Sequence, residues 1–411
     1  MGSLATHPSG PRLCSCANYS TAAFLCMVFV IGTTFVEFDY IMKLWSGISI
    51  DFVATTQGTL KTDISNLPPQ ANSWHHESSL ESTRSSSCKS PCTSLGSEAL
   101  PKGIVSPKSD LEMVPLWGSP RGKEQDDVSL QKSLLAIPVG INQKDMVNQI
   151  VMKFVSSDFT VMLFHYDGVV DGWEDFQWSD SALHISAINQ TKWWFAKRFL
   201  HPDIVAPYKY IFLWDEDIEV ENFHPKRYLT IVEREGLEIS QPALDLAKSR
   251  IHHQITARLS KQVVHRRVYK FSGDKQCDDN SSQPPCTGWV EMMLPVFSRA
   301  AWRCVWHMIQ NDLIHAWGLD MKLGYCAQGD RSKNIGVVDS EYIVHKGLPT
   351  LGVFDEKMGS TGSPAANDRS AVRWRSYVEL EIFRKRWQKA ATEDNCWIDP
   401  YPELETNLRK H

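Results

Sequence analysis

The chain has 411 residues, and its 43 Lys and Arg against 48 Asp and Glu give a formal net charge of −5, which argues against a nucleic-acid binder working through a broad basic surface. With 42% hydrophobic and 22% charged residues, the composition is that of a protein with a packed core. No CxxC pair occurs, which argues against a zinc ribbon or thioredoxin-like site, and no P-loop GxxxxGK[ST] or GxGxxG after a strand is present; the absence of HExxH and GxSxG removes the simplest zinc-protease and serine-hydrolase readings.

In chain order, residues 1–20 are polar and read as a cytosolic tail with one basic residue, Arg12. Thr21 to Val36 carries no charge and is followed by Glu37, Asp39 and a partly apolar run to Trp45. Residues 21–45 are predicted to form a transmembrane signal anchor. The uncharged core is shorter than the roughly 20 residues a spanning helix needs, a gap that extension to Ala17 or a thin bilayer closes. A cleaved signal peptide and a buried or surface helix are the alternatives, although no clear small-x-small cleavage site follows. Residues 46–130, which include SLESTRSSSCKSPCTSLGSEALPKG, are rich in Ser and Pro and read as a flexible stem.

A luminal domain is expected over residues 131–400. LLAIPVG from Leu134, FTVMLFHYDG at 159–168, HISAIN and YKYIFLWDEDIEV at 208–220 read as strands. QKDMVNQIVMKF and TKWWFAKRFL read as helices between them. This alternation predicts an α/β fold with a mostly parallel sheet and flanking helices. Residues 241–285 are polar and give no strand pattern. Asn189 and Asn280 head N-glycosylation sequons, weakly consistent with a lumen. Cys277 and Cys286 are spaced to close a short loop, and five cysteines beyond residue 270 leave one free or paired elsewhere. The 15 Trp residues are either core packing or, in part, flat faces for sugar rings.

The chemistry concentrates in three segments. In the first, an apolar strand runs into Asp215-Glu216-Asp217. Alternation along an extended chain points Asp215 and Asp217 together and Glu216 away, giving two hard oxygen ligands for manganese or magnesium. A solvated acidic turn is the structural alternative. In the second, Gly288–Phe297 reads as an apolar strand carrying one carboxylate, Glu291, ahead of a helix capped by Ser298. Trp317-Gly318 then suggests a tight turn presenting Asp320 at a helix start, as a general base or as a charge favoured by the helix dipole. In the third, the strand from Ile335 ends in His345, a third metal ligand, and Lys346, a cation for phosphate. Asp339 and Glu341 read as surface charges.

An Asp-x-Asp after a strand, then Trp-Gly-Leu-Asp, then a strand closing in His resembles the layout of GT-A glycosyltransferases. That resemblance implies a GT-A-like fold in which Asp215, Asp217 and His345 hold a divalent metal on a nucleotide-sugar diphosphate. Asp320, or Glu291 in its place, would then meet the acceptor. FLWDEDIEVENFHPKRYL and HAWGLDMKLGYCAQGDRSKNIGVVDSEYIVHKG are similar to a plant family of unknown function labelled "lysine ketoglutarate reductase trans-splicing related". The label implies RNA processing, yet no RNA-recognition module, basic stripe or RNP-like strand is present. The expectation is a manganese- or magnesium-dependent glycosyltransferase anchored in the Golgi membrane as a single-pass type II protein. It would take a nucleotide-sugar donor and a glycan, lipid or protein acceptor, with no nucleic-acid partner. A nucleotide-sugar- or glycan-binding protein without turnover, and an RNA-processing factor, are the alternatives.

Overall fold

The computed structural model describes residues 94–110, 132–155, 157–270, 277–348 and 369–402. The predicted anchor and most of the predicted stem lie outside these residues. Among the described residues no helix is long and apolar enough to cross a membrane.

The first strand, β1 (Ser133–Val139), is an almost unbroken apolar run, buried on both faces as a parallel strand between helices must be. It pairs in parallel with β2 (Phe159–His165) and β4 (Tyr210–Leu213), and β2 pairs in parallel with β3 (Leu183–Ser186). Helix α1 (Lys144–Phe154) links β1 to β2 and buries Val147, Ile150, Val151 and Phe154, one stripe at helical spacing. Helix α2 (Lys192–Phe199) precedes β4.

Beyond β4 the pattern changes. β6 (Ile239–Leu244), β8 (Val296–Ser298) and β9 (Ile335–His345) follow β4 across the sheet in the order β4-β8-β6-β9. β8 runs antiparallel to both β4 and β6, while β6 and β9 are parallel. The two-residue strands β5 (Ile218–Glu219) and β7 (Val264–His265) lie antiparallel to β9. The sheet is therefore mixed rather than mostly parallel. Helices α1 and α2 separate β1 from β2 and β3 from β4, whereas after β4 loops rather than crossover helices join several strands, so antiparallel pairing is permitted.

Alternate residues of the central strands feed separate cores on the two sheet faces. Leu134, Ala136, Ile211 and Leu213 join one core, with α2 and α4 (Arg299–Met308). Leu135, Ile137, Phe212 and Trp214 join the other, with α1 and α3 (Pro225–Arg234). Trp173, Trp214, Trp289, Trp302 and Trp306 are fully buried, so for these five the packing reading holds.

Several expectations change. Gly288–Phe297 is not one strand: Gly288 sits at φ 61, a left-handed value, and only Val296 onward pairs in the sheet. Asp339 and Glu341 are buried, not surface charges. The β6–β9 pairing jumps from Pro242↔Val338 to Ala243↔Tyr342, and the residues bulged out there turn inward. Asp339 holds His265 Nδ1 at 2.7 Å, and Glu341 accepts from the His224 N–H and pairs with Arg227. Residues 94–110, expected in the stem, pack on the core through Leu100 and Ile104. Helix α5 (Arg331–Asn334) leads into β9, and α6 (Arg369–Glu393) packs beside residues 102–104. Cys277–Cys286 and Cys304–Cys326 are disulfides and Cys396 is disulfide-bonded as well, so the odd cysteine is paired.

Candidate functional site

Strand β4 stops at Leu213, and the chain turns through Asp215, Glu216 and Asp217 before re-entering the sheet as β5. This places the acids beyond the carboxyl end of a central strand, where open α/β sheets receive ligands. The register of β5 then decides what they meet. Ile218 pairs with His345, and the Lys346 N–H donates to the Asp217 carbonyl, so the end of β9 is laid against the acidic turn. His345 Nε2 lies 3.2 Å from Asp217 Oδ2, which also accepts from the Leu348 N–H at 3.0 Å. The other ring nitrogen, Nδ1, donates to the Arg250 carbonyl at 3.2 Å. That bond fixes the tautomer: a neutral His345 presents the Nε2 lone pair to the acidic turn, as a metal-ligating imidazole does. Burial pulls the His345 pKa down, but the hydrogen bond and charge of Asp217 outweigh it and leave the value raised.

A cavity of about 230 Å³ opens here, lined by Asp215, Glu216, Asp217 and His345 together with Tyr166, Gln190, Thr191 and Lys192. Asp215 is held at 2.6 Å by Lys192 Nζ. Glu216 does not point away as strand alternation suggested, because the chain is no longer extended after Leu213. It accepts from Tyr166 Oη at 2.5 Å and from the Gly140 N–H at 2.8 Å, and burial pushes its pKa up to about 8.

Glu291 approaches from the 288–294 segment, its N–H donating to Gln241 Oε1 and its own Oε2 buried without a hydrogen-bond partner. Burial pushes its pKa up to about 7; His345 and Lys192 act against the shift, while Asp215 and Asp320 add to it. Asp320 opens the 3-10 turn Asp320–Cys326 after Gly318, whose φ of 93 confirms the tight turn. Burial raises its pKa too, against hydrogen bonding that includes the Met321 N–H. Lys346 is not on the cavity wall; its ammonium pairs with Glu219 at 2.6 Å.

Asp215, Asp217 and His345 thus share one cavity, with Glu291 and Asp320 within electrostatic reach and Lys346 turned outward. Lys192, Tyr166, Gln190 and Thr191 were not foreseen. One weak signal existed: Lys192 is the first residue of α2, where the helix dipole disfavours a cation and a nearby acid offsets that cost. The donor chemistry fits a hard divalent ion, with carboxylate oxygens and an imidazole on one wall. Among the described residues, however, no three His, Cys, Asp or Glu side chains converge as a ready metal cluster.

Residues 91–393 match the family model described as "Protein of unknown function (DUF707)". No curated protein matches the sequence. Solved structures with partial similarity include S. aureus TarS 1-349 (8% identity, TM-score 0.34, covering 52% of this chain and 59% of that one). A second is S. aureus TarS (10% identity, TM-score 0.35, 52% and 36%). A third is the mannosyltransferase Ktr4p from S. cerevisiae (9% identity, TM-score 0.21, 36% and 48%). This chain spans less than two thirds of each of those chains.

Proposed function

The chain belongs to the DUF707 family, and from its site geometry we propose a metal-dependent glycosyltransferase that moves a sugar from a nucleotide sugar to a hydroxyl acceptor. The observation that carries this is the 3.2 Å approach of His345 to Asp217 on a cavity that also holds Asp215. The Asp215 and Asp217 carboxylates offer a diphosphate-bound cation hard oxygen ligands, which select manganese or magnesium. Asp215, Asp217 and neutral His345 would hold that ion. When bound, it supplies charge neutralisation at the diphosphate leaving group. A proton on His345 would compete with the metal, and the raised pKa of the imidazole strengthens that competition.

Glu291 suits the acceptor-side base better than Asp320, reversing the order of preference drawn from the sequence. Its Oε2 has no internal partner, and a pKa near 7 matches a base working near neutrality. Asp320, partly satisfied by its own turn, suits orientation of the acceptor. Membrane anchoring through residues 21–45 and a Golgi lumen belong to the same proposal and rest on the sequence alone.

Asp217→Ala should abolish manganese-dependent binding of a nucleoside diphosphate in isothermal calorimetry while circular dichroism shows a folded protein. Unchanged binding in that variant removes the site assignment. A second reading is a binding protein without turnover. It is favoured by the pairs Lys192–Asp215 and His345–Asp217, which satisfy one another within the chain. A donor screen separates the two, since a binder yields neither transfer nor hydrolysis.

A further inference from the structure

We infer that Lys192 makes this a site for a metal–diphosphate complex rather than for a bare metal ion, because its ammonium already serves as the counter-ion of Asp215. The inference rests on the metal and diphosphate reading above and adds the order in which charge enters the site.

Lys192 Nζ carries three donors, and each has an acceptor: Asp215 Oδ1 at 2.6 Å, the Met292 carbonyl at 2.7 Å and the Met293 carbonyl at 3.0 Å. Its side chain is only 9% exposed. The charge is therefore fixed in place, on the cavity wall, and not free to swing away when a cation arrives. A bare divalent ion approaching Asp215 meets a like charge beside its ligand and a carboxylate with one oxygen already engaged. This agrees with the lack of a three-residue metal cluster among the described residues. A diphosphate changes the balance. It brings oxygens that complete the coordination shell and negative charge that both the metal and Lys192 attract. Ions of this type commonly combine one or two carboxylates with substrate phosphates rather than an all-protein cage. Metal and diphosphate should then raise each other's affinity by the same factor, as linkage requires. The carbonyls of Met292 and Met293 also tie Asp215 to the segment carrying Glu291, so the two ends of the reaction share one frame.

Calorimetric titration of the purified full-length protein with manganese alone, uridine or guanosine diphosphate alone, and both together tests this. In the wild type, each should tighten the other at least about tenfold, the scale of one close unit charge. Lys192→Gln keeps donors for the carbonyls but removes the charge. Bare manganese should then bind about tenfold tighter while the diphosphate in the presence of manganese binds about tenfold weaker. Lys192→Arg should retain the wild-type coupling. A merely structural lysine would weaken both measurements together, and that result overturns the inference. So does a wild type that binds manganese equally well with and without diphosphate, which decides the matter even if Lys192→Gln fails to fold. A wild type that binds neither manganese nor its diphosphate complex sinks the underlying site assignment as well, which distinguishes the two failures.

Discussion

As the proposed acceptor-side base, Glu291 would set function against stability within one side chain. Its carboxyl is pushed up to about 7 by burial, from the ordinary 4.5. Between those values the folded state holds a proton that the unfolded state has released, so stability falls as pH rises from about 4.5 through about 7. Glu291→Gln removes the titration and keeps the shape. Thermal unfolding should show the variant more stable than wild type by about 1–3 kcal/mol at pH 8 and no different at pH 4. In transfer assays the same variant should lose about 10²–10⁴ in kcat, and the wild-type rise of rate with pH through about 7 should vanish. A variant as active as wild type returns the base to Asp320. That Asp215, Asp217 and His345 belong to one site was readable beforehand because an apolar strand running into Asp215 and Asp217, and another ending in His345, are strong local patterns. Lys192 and Tyr166 were not, since their roles arise only when α2 and the end of β2 are folded over the acidic turn.

Among the elements, the Cys304–Cys326 disulfide joins helix α4 to the end of the Asp320–Cys326 turn. It closes a loop with a sequence separation of 22, for which chain-entropy reasoning gives about 3 kcal/mol. Cys304→Ala/Cys326→Ala should lower the denaturant midpoint accordingly and loosen Asp320. Manganese–diphosphate binding at Asp217 and His345 should be retained while transfer slows. Equal loss of binding and transfer would mean that the disulfide supports the whole domain rather than the acceptor side. Elements with their own periodicity were legible: β1, α1, β2, α2, and β9, together with α4 behind its cap, where the Ala301 N–H donates to Ser298 Oγ. The two-residue strands β5 and β7 carry no periodicity at all, and they owe their existence to the edge that β9 offers them. Yet β5 is what brings His345 to Asp217, so the decisive contact depended on the least legible strand.

For the molecule as a whole, the boundary of the folded unit is the point at which composition misled. Ser- and Pro-rich chain around residues 94–110 suggested a tether, but Leu100 is 3% and Ile104 1% exposed in the core. The fully buried amino group of Lys197 donates to the Ser106 and Trp306 carbonyls, so this segment supplies one of its acceptors. Burial pushes the Lys197 pKa down to about 6, so near neutral pH the group is mainly an uncharged amine. The Lys102 N–H also reaches the Asp394 carboxylate just beyond α6, joining distant parts of the chain. Re-exposing two large aliphatic side chains costs about 1.5–3 kcal/mol each. Leaving a buried amine N–H without its acceptor adds about 1–3 kcal/mol. Together these come to about 4–9 kcal/mol, comparable with the lower part of the 5–15 kcal/mol by which a domain is ordinarily stable. A chain starting at residue 82, which retains Cys88 and Cys92, should therefore keep the melting temperature of the full protein. One starting at residue 131 should melt at least about 10 °C lower or fail to fold. Should both truncations unfold cooperatively at one temperature, residues 94–110 are a passenger on the surface of the domain and not part of its core.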